Sequence, residues 1–382
     1  MVTLSKANVL WALAFLARNN SSWAFQPTTS SSSFLSRTSG INSKDSLLEL
    51  NVATSLQQPT TSTSTTGTTK DRAVSACDLR TYVHDGYTLK YRYKAATPGK
   101  ENEPPLLLIH PVGIGMSSWF WENFIAEWKG GPVYAPDLIG CGIDNGSDAW
   151  KPEEKGMFFP LSWVRGCETL LEKVIYKNNP LSSLFSSNNK KVTVVTQGGL
   201  APVGVMLASR NPDTVQNLIM SSPPTWKEMT TAVPEAELAK NYDALTSPIL
   251  GKVAFGALES SWAIRFFSNL FLFENKADDE WMSYCLDECL HGEEARPPIQ
   301  AFNAGLMQHR SYLDELTSLP QSTFIVQGKA DVNRIPQQPE YATQMKDCTL
   351  VTLPAGLNVL PWECPAVFAE TVQQAQQQPS KK

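Results

Sequence analysis

Histidine is scarce in this chain. His84, His110, His291 and His309 are the four among 382 residues, too few for a histidine-rich metal centre. The seven cysteines (77, 141, 167, 285, 289, 348 and 364) are odd in number and widely spread. They form neither a disulfide framework nor a CxxC pair for zinc or redox work. Basic residues are not in excess: 32 Lys and Arg stand against 37 Asp and Glu, a net charge of −5. A surface without basic excess does not neutralise phosphates, so nucleic acid is excluded as a partner. No bilayer span is expected in the mature chain. The apolar run near the start, Val9–Ala17, is far shorter than the roughly 20 residues a membrane helix needs.

What is present is ordinary globular material, with 42% hydrophobic and 18% charged residues. At this length a sizeable core is available. The start of the chain reads differently. Lys6, the run Val9–Ala17 and the small residues up to Ala24 read as a signal peptide over residues 1–24. Residues 28–69 then hold 22 Ser or Thr among 42. Such a stretch cannot bury enough apolar area to offset its ordering entropy, so residues 25–70 are expected to be a disordered transit peptide or linker. Ala24-Phe25 with Pro27 is similar to the Ala-Phe cleavage signature of plastid proteins in algae with secondary, red-lineage plastids, such as diatoms. That resemblance implies delivery to the plastid.

From about residue 71 strand and helix alternate. Thr81–Val83 and Tyr87–Tyr93 flank His84-Asp85-Gly86 as a hairpin. Short apolar runs at Pro105–Ile109, Pro132–Ala135, Val192–Thr196, Val215–Met220, Phe324–Gln327 and Leu350–Leu353 read as buried strands. Helical spacing follows most of them, at Trp119–Trp128, Trp163–Tyr176, Pro202–Arg210 and Pro365–Ala375. This alternation predicts an α/β fold with a mostly parallel sheet covered on both faces. Ligands in such sheets bind beyond the carboxyl ends of the strands. Residues 71–222 and 320–378 are read as the core. Residues 223–319 show no strand pattern and are rich in large apolar residues, including Trp226, Trp262, Phe266, Phe267, Phe271, Phe273, Trp281 and Tyr284. They are read as a helical cap, with Cys285 and Cys289 one turn apart as packing residues.

Four segments carry a resemblance. His110-Pro111-Val112-Gly113 follows a buried strand, and Asp137-Leu138-Ile139-Gly140-Cys141-Gly142 follows the next. Gly328-Lys329-Ala330-Asp331 and the stretch Pro354–Pro365 follow the last two. In this order, with the cap in its gap, they resemble the α/β-hydrolase fold superfamily. The resemblance implies an oxyanion-hole-like loop at His110, Val112 and Gly113, completed by Gly199 after the elbow. It also implies a catalytic acid at Asp331.

The chemistry departs from that pattern. A hydrolase of this kind carries its nucleophile in a sharp strand-to-helix elbow, G-x-S-x-G. Here the elbow reads Val195-Thr196-Gln197-Gly198-Gly199-Leu200-Ala201, and the nucleophile position is Gly198. Counting back from Glu363-Cys364-Pro365, the histidine position is Asn358, which accepts no proton near neutral pH. The triad-equivalent set is therefore Gly198, Asp331 and Asn358, with Asp331 free to orient Asn358 or to pair with Arg334. The expectation is a protein that binds a small apolar ligand (pigment, prenyl or lipid-like) or a partner, without serine-type hydrolysis and without cofactor or metal. The alternative is an enzyme, hydrolase, lyase or isomerase, that uses His110, Asp331 or Thr196, with His110 as proton shuttle or Thr196 as a shifted nucleophile. In that alternative His309 reaches the site from the cap.

Overall fold

A computed structural model of the chain describes residues 76–142, 160–176, 191–290 and 296–378. The signal peptide and the Ser/Thr-rich tract lie outside the described residues, as does His291. The sheet has eight strands: β1 Asp78–His84, β2 Tyr87–Lys94, β3 Leu106–Ile109, β4 Val133–Pro136, β5 Val192–Gln197, β6 Val215–Ser221, β7 Ser322–Gly328 and β8 Cys348–Leu353. Their spatial order is β1-β2-β4-β3-β5-β6-β7-β8. The β1–β2 and β2–β4 pairs are antiparallel, and every other pair is parallel.

Local chemistry explains the boundaries. Asp85 and Gly86 turn the first hairpin at φ 47° and 85°, the doubly left-handed turn whose twist matches the flanking strands. Strands β3 and β4 are buried at every residue, as expected where helices cover both faces. Between strands run α1 Glu122–Glu127, α2 Leu161–Leu170 and α3 Ala201–Arg210. Pro202 in the first turn of α3 costs no hydrogen bond there.

The described part of the insertion between β6 and β7 is helix and loop. It contains α4 Trp226–Thr230, α5 Glu235–Thr246, α6 Leu250–Leu258, α7 Ser261–Phe267, α8 Asp279–Cys289, α9 Arg296–Asn303 and α10 Leu313–Ser318. Thr225 and Glu228 cap α4 reciprocally. The last helices are α11 Pro339–Gln344, α12 Leu360–Glu363 and α13 Pro365–Gln377. Among the described residues no helix is long and apolar enough to cross a membrane.

The sheet divides the core in two. Leu107, Ile109, Val194, Leu218 and Met220 face α2 and α3. Leu106, Leu108, Val195, Ile219 and Val326 face α1 and α13. The insertion joins the second cluster through aromatic rings. Trp281 and Tyr284 of α8 pack on Trp119 and Trp362 of the core, with centroids 4.8–6.1 Å apart. Phe273 adds an edge contact to Trp281 at 4.9 Å. Edge-to-face pairs of this kind add roughly 0.5–1.5 kcal/mol each beyond area burial.

Candidate active site at the strand-to-helix elbow

The chain leaves β5 at Gln197, turns through Gly198–Leu200 and enters α3 at Ala201. Gly198 has φ +57°, a left-handed backbone that costs an ordinary L-residue roughly 1–2 kcal/mol. Gly198 is buried, yet a Cβ built on it would meet no atom within 4 Å. Open space therefore stands where this turn would project a side chain.

The three triad-equivalent segments converge. The Gln197 side-chain amide, one residue before Gly198, donates to the Asn358 carbonyl at 2.8 Å and to its Oδ1 at 3.3 Å. The Asn358 loop joins the Asp331 loop where the Ala330 N–H donates to the Gly356 carbonyl at 3.1 Å. Asp331 faces Arg334 at 3.9 Å. Asn358 is also fixed from the insertion, since its N–H donates to the Leu272 carbonyl at 3.1 Å. Glu274 and Glu363 reinforce that junction reciprocally. Glu274 Oε2 accepts from the Gly356 N–H, and Glu363 accepts from the N–H groups of Glu274 and Leu357.

On the oxyanion side, Val112 and Gly113 follow β3, which pairs with β5 up to Ile109 and Thr196. Gly199 follows Gly198 in the turn. Sequence reasoning missed the residues one strand further on. Ser221 is the cross-strand partner of Gln197, and Ser222 comes next with φ +45°. Both serines are buried, and neither hydroxyl has a hydrogen-bond partner. The signal was their position directly after the apolar run Val215–Met220, at a strand's carboxyl end.

Both alternative catalytic residues are corrected by their surroundings. His110 is fully buried. Its Nδ1 lies 2.7 Å from the Pro111 carbonyl, and its Nε2 accepts from the Leu138 N–H at 3.0 Å. Both ring nitrogens are used by backbone, and burial pushes the imidazole pKa down. This is a structural histidine rather than a proton shuttle. Thr196 points under α3, where a Cβ on Gly204 would run into its Cγ2. Its hydroxyl is buried and has no hydrogen-bond partner. His309 binds the Leu306 carbonyl through Nδ1 at 2.8 Å on an exposed helix end.

The aromatic rings of the insertion pack on one another and on the core. Phe273, Trp281 and Tyr284 are used in the junction with the core. Trp226 packs on Tyr341, and Trp262, Phe266, Phe267 and Phe271 stack on one another. These ring contacts bind the insertion together.

A separate small cleft lies beside the oxyanion-like loop, between Ile114, Met116, Cys141, Glu259, Glu288 and Cys289. Its room of about 20 Å³ suits one water. Glu288 accepts from Ser117 Oγ at 2.8 Å there. Burial first, and the nearby Asp137 as well, push its carboxyl up to about 7. Among the described residues no group of three or more His, Cys, Asp and Glu is arranged to hold a metal.

Comparison with known proteins agrees with this architecture. No curated protein matches the chain. Among solved structures, it is similar to the haloalkane dehalogenase DatA from Agrobacterium tumefaciens C58. Identity there is 16%, coverage is 79% of this chain and 96% of that one, and the TM-score is 0.54. It is also similar to a probable hydrolytic enzyme from Pseudomonas aeruginosa PAO1, at 18% identity, 80% and 95% coverage and a TM-score of 0.57. A serine hydrolase involved in carbazole degradation matches at 15% identity, 78% and 98% coverage and a TM-score of 0.53. At these identities the likeness speaks for the fold. The sequence profile of the alpha/beta hydrolase family matches residues 106–371, and the chain belongs to that family.

Proposed function

We propose that this alpha/beta hydrolase family member binds a small ligand at the elbow and does not perform serine-type hydrolysis. The observation that carries the reading is Gly198, a buried residue at φ +57° with open space in place of a side chain. Acyl transfer needs an oxygen or sulfur nucleophile and a group that takes its proton. Gly198 supplies no atom, and Asn358 supplies no base. Loss of triad members costs orders of magnitude in rate, and what remains comes from oxyanion stabilisation and binding. Both ring nitrogens of His110 are engaged by backbone, and the Thr196 side chain packs against Gly204 under α3.

The ligand reading rests on the open space at Gly198. Delivery to the plastid belongs to the same proposal and rests on Ala24-Phe25 and the Ser/Thr-rich tract behind it.

A fluorophosphonate probe tests the chemistry. The wild-type protein is expected to stay unlabelled. Stoichiometric labelling that disappears in Thr196→Val would overturn the reading in favour of a threonine nucleophile. Mass spectrometry of small molecules co-purifying from the native source tests the binding.

A further inference from the structure

Strands β5 and β6 run parallel, with Gln197 opposite Ser221. One residue later on each strand stand Gly198 and Ser222. Both have left-handed backbones, at φ +57° and +45°. For glycine that conformation is free of steric cost, whereas for serine it is strained. The strain at Ser222 is held in place. Its N–H donates to the Val326 carbonyl at 2.7 Å, and its carbonyl accepts from the Arg334 guanidinium at 3.4 Å.

This edge also gathers unsatisfied polar atoms. Ser221 is 0% and Ser222 1% exposed, and neither Oγ has a partner. Gln197 is 0% exposed, and its Oε1 likewise has none, although its amide nitrogen is committed to Asn358. Buried polar atoms are almost always paired. Three orphaned oxygens at neighbouring positions, beside the open space at Gly198, form an unfilled set of hydrogen-bonding positions. The two serine hydroxyls both donate and accept, and the glutamine oxygen accepts.

The charged groups described at this edge already have partners. Asp331 and Arg334 pair at 3.9 Å with side chains only 11% and 18% exposed. An ionised ligand head would enter a buried position where Arg334 already faces Asp331 and bonds the Ser222 carbonyl. Glu274 and Glu363 already accept backbone N–H groups, so its desolvation would be offset only by displacing those contacts.

We infer that Ser222, Ser221 and Gln197 form a subsite at the Gly198 elbow for a neutral hydrogen-bonding head group, an alcohol, ketone, ester or amide, in preference to a carboxylate or an ammonium. This rests on the binding proposed above and names the chemistry the site selects. Ser222 is its central reader, and its strained backbone holds the hydroxyl at the strand end. The subsite performs no bond-making step.

Isothermal titration of the full chain with 1-octanol, octanoate and octylamine tests the inference, because the three share one apolar tail. Octanol is expected to bind at least about tenfold more tightly than the two charged probes, the discrimination typical of a well-made polar contact. Ser222→Gly removes the hydroxyl while keeping a residue that accepts φ +45°, so folding is retained. It should weaken octanol about tenfold and leave the charged probes unchanged. Octanoate or octylamine binding as tightly as octanol would overturn the inference. So would an unchanged octanol affinity in Ser222→Gly, or binding by none of the probes. Gly198→Asn separates this from failure of the wider reading. Asparagine tolerates a left-handed backbone and fills the open space. If Gly198→Asn leaves every affinity unchanged, the ligand does not bind at the elbow at all.

Discussion

Gly115 and Cys285 are in contact across the junction between the core and the insertion, and only a glycine permits it. Gly115 has φ +70°, and a Cβ there would stand 2.7 Å from the Cys285 Cα and closer still to its carbonyl oxygen. The oxyanion-like loop and α8 therefore meet backbone to backbone. Around that contact a polar seam crosses from insertion to core. The Tyr284 hydroxyl donates to Glu122 at 2.5 Å, Glu122 pairs with Arg92 at 3.1 Å, and Arg92 donates to Ser118 Oγ at 3.2 Å.

Gly115→Ala is expected to destabilise the protein by about 1–3 kcal/mol, the usual cost of overpacking, with backbone strain added. Chemical denaturation measures it. Gly86→Ala is the control, because a Cβ there meets nothing within 4 Å although φ is also positive. It should cost only the backbone strain.

Gly198→Ser should be tolerated in space and strained in backbone, at a cost of about 1–2 kcal/mol. It should show no esterase activity, since Asn358 takes no proton. Gly198→Ser with Asn358→His restores the side chains of a Ser–His–Asp set with Asp331. Fluorophosphonate labelling of the double variant and not of the single one is the expected pattern. Labelling of the single variant would show that another group accepts the proton.

Glu288 gives the fold a pH dependence near neutrality. Its carboxyl is raised to about 7, against an ordinary value near 4.5 in the unfolded chain. Between those values the folded state holds a proton that the unfolded state has lost. Stability is therefore fully present below about pH 4.5 and falls as pH rises through 7. Thermal unfolding between pH 5 and 8.5 should show this decline, and Glu288→Gln should flatten it. The groups facing Glu288 are Ser117, Asp137, Arg92, Lys90, Cys141, Glu259 and its neighbour Cys289. A decline of equal size in Glu288→Gln would assign the effect to others among them.

Residues 1–70 fused to a fluorescent protein should direct it to the plastid of a secondary-plastid alga. Phe25→Ala should hold the fusion outside the plastid envelope. Fluorescence microscopy reads both outcomes, and secretion of the unaltered fusion would refute the plastid address.

The strands were legible in the sequence because each buried one is a short stretch dominated by apolar and β-branched residues. Val192–Thr196, for example, became β5 with one residue added at its end. Helix periodicity gave α3 and α13 equally well. The elbow was legible as well, since two glycines between a strand and a helix leave few turns to choose from. The polar edge was not. Ser221 and Ser222 belong to no motif, and their meaning depends on which strand lies beside β6. That neighbour is fixed by sheet order, which only tertiary packing decides. The partners of the aromatic residues were not legible for a related reason. Composition shows that rings are present but not which surface they cover, and Trp281 and Tyr284 cover Trp119 and Trp362.

The reciprocal clamp of Glu274 and Glu363 bears on the order of biosynthesis. The segment Leu272–Glu274 exchanges hydrogen bonds with residues 356–363, which lie more than eighty positions later in the chain. A nascent polypeptide that has completed β6 and the whole insertion holds the earlier part of that closing surface, at Gly115, Trp119 and Glu122, but lacks the part at residues 356–363. Such long-range pairing is slow to form and leaves apolar surface uncovered meanwhile. The growing chain therefore carries Trp281 and Tyr284 without their later partner Trp362 until its last turns are made. A ribosome stalled shortly before residue 356 should display a nascent chain to which chaperones bind and on which proteases act.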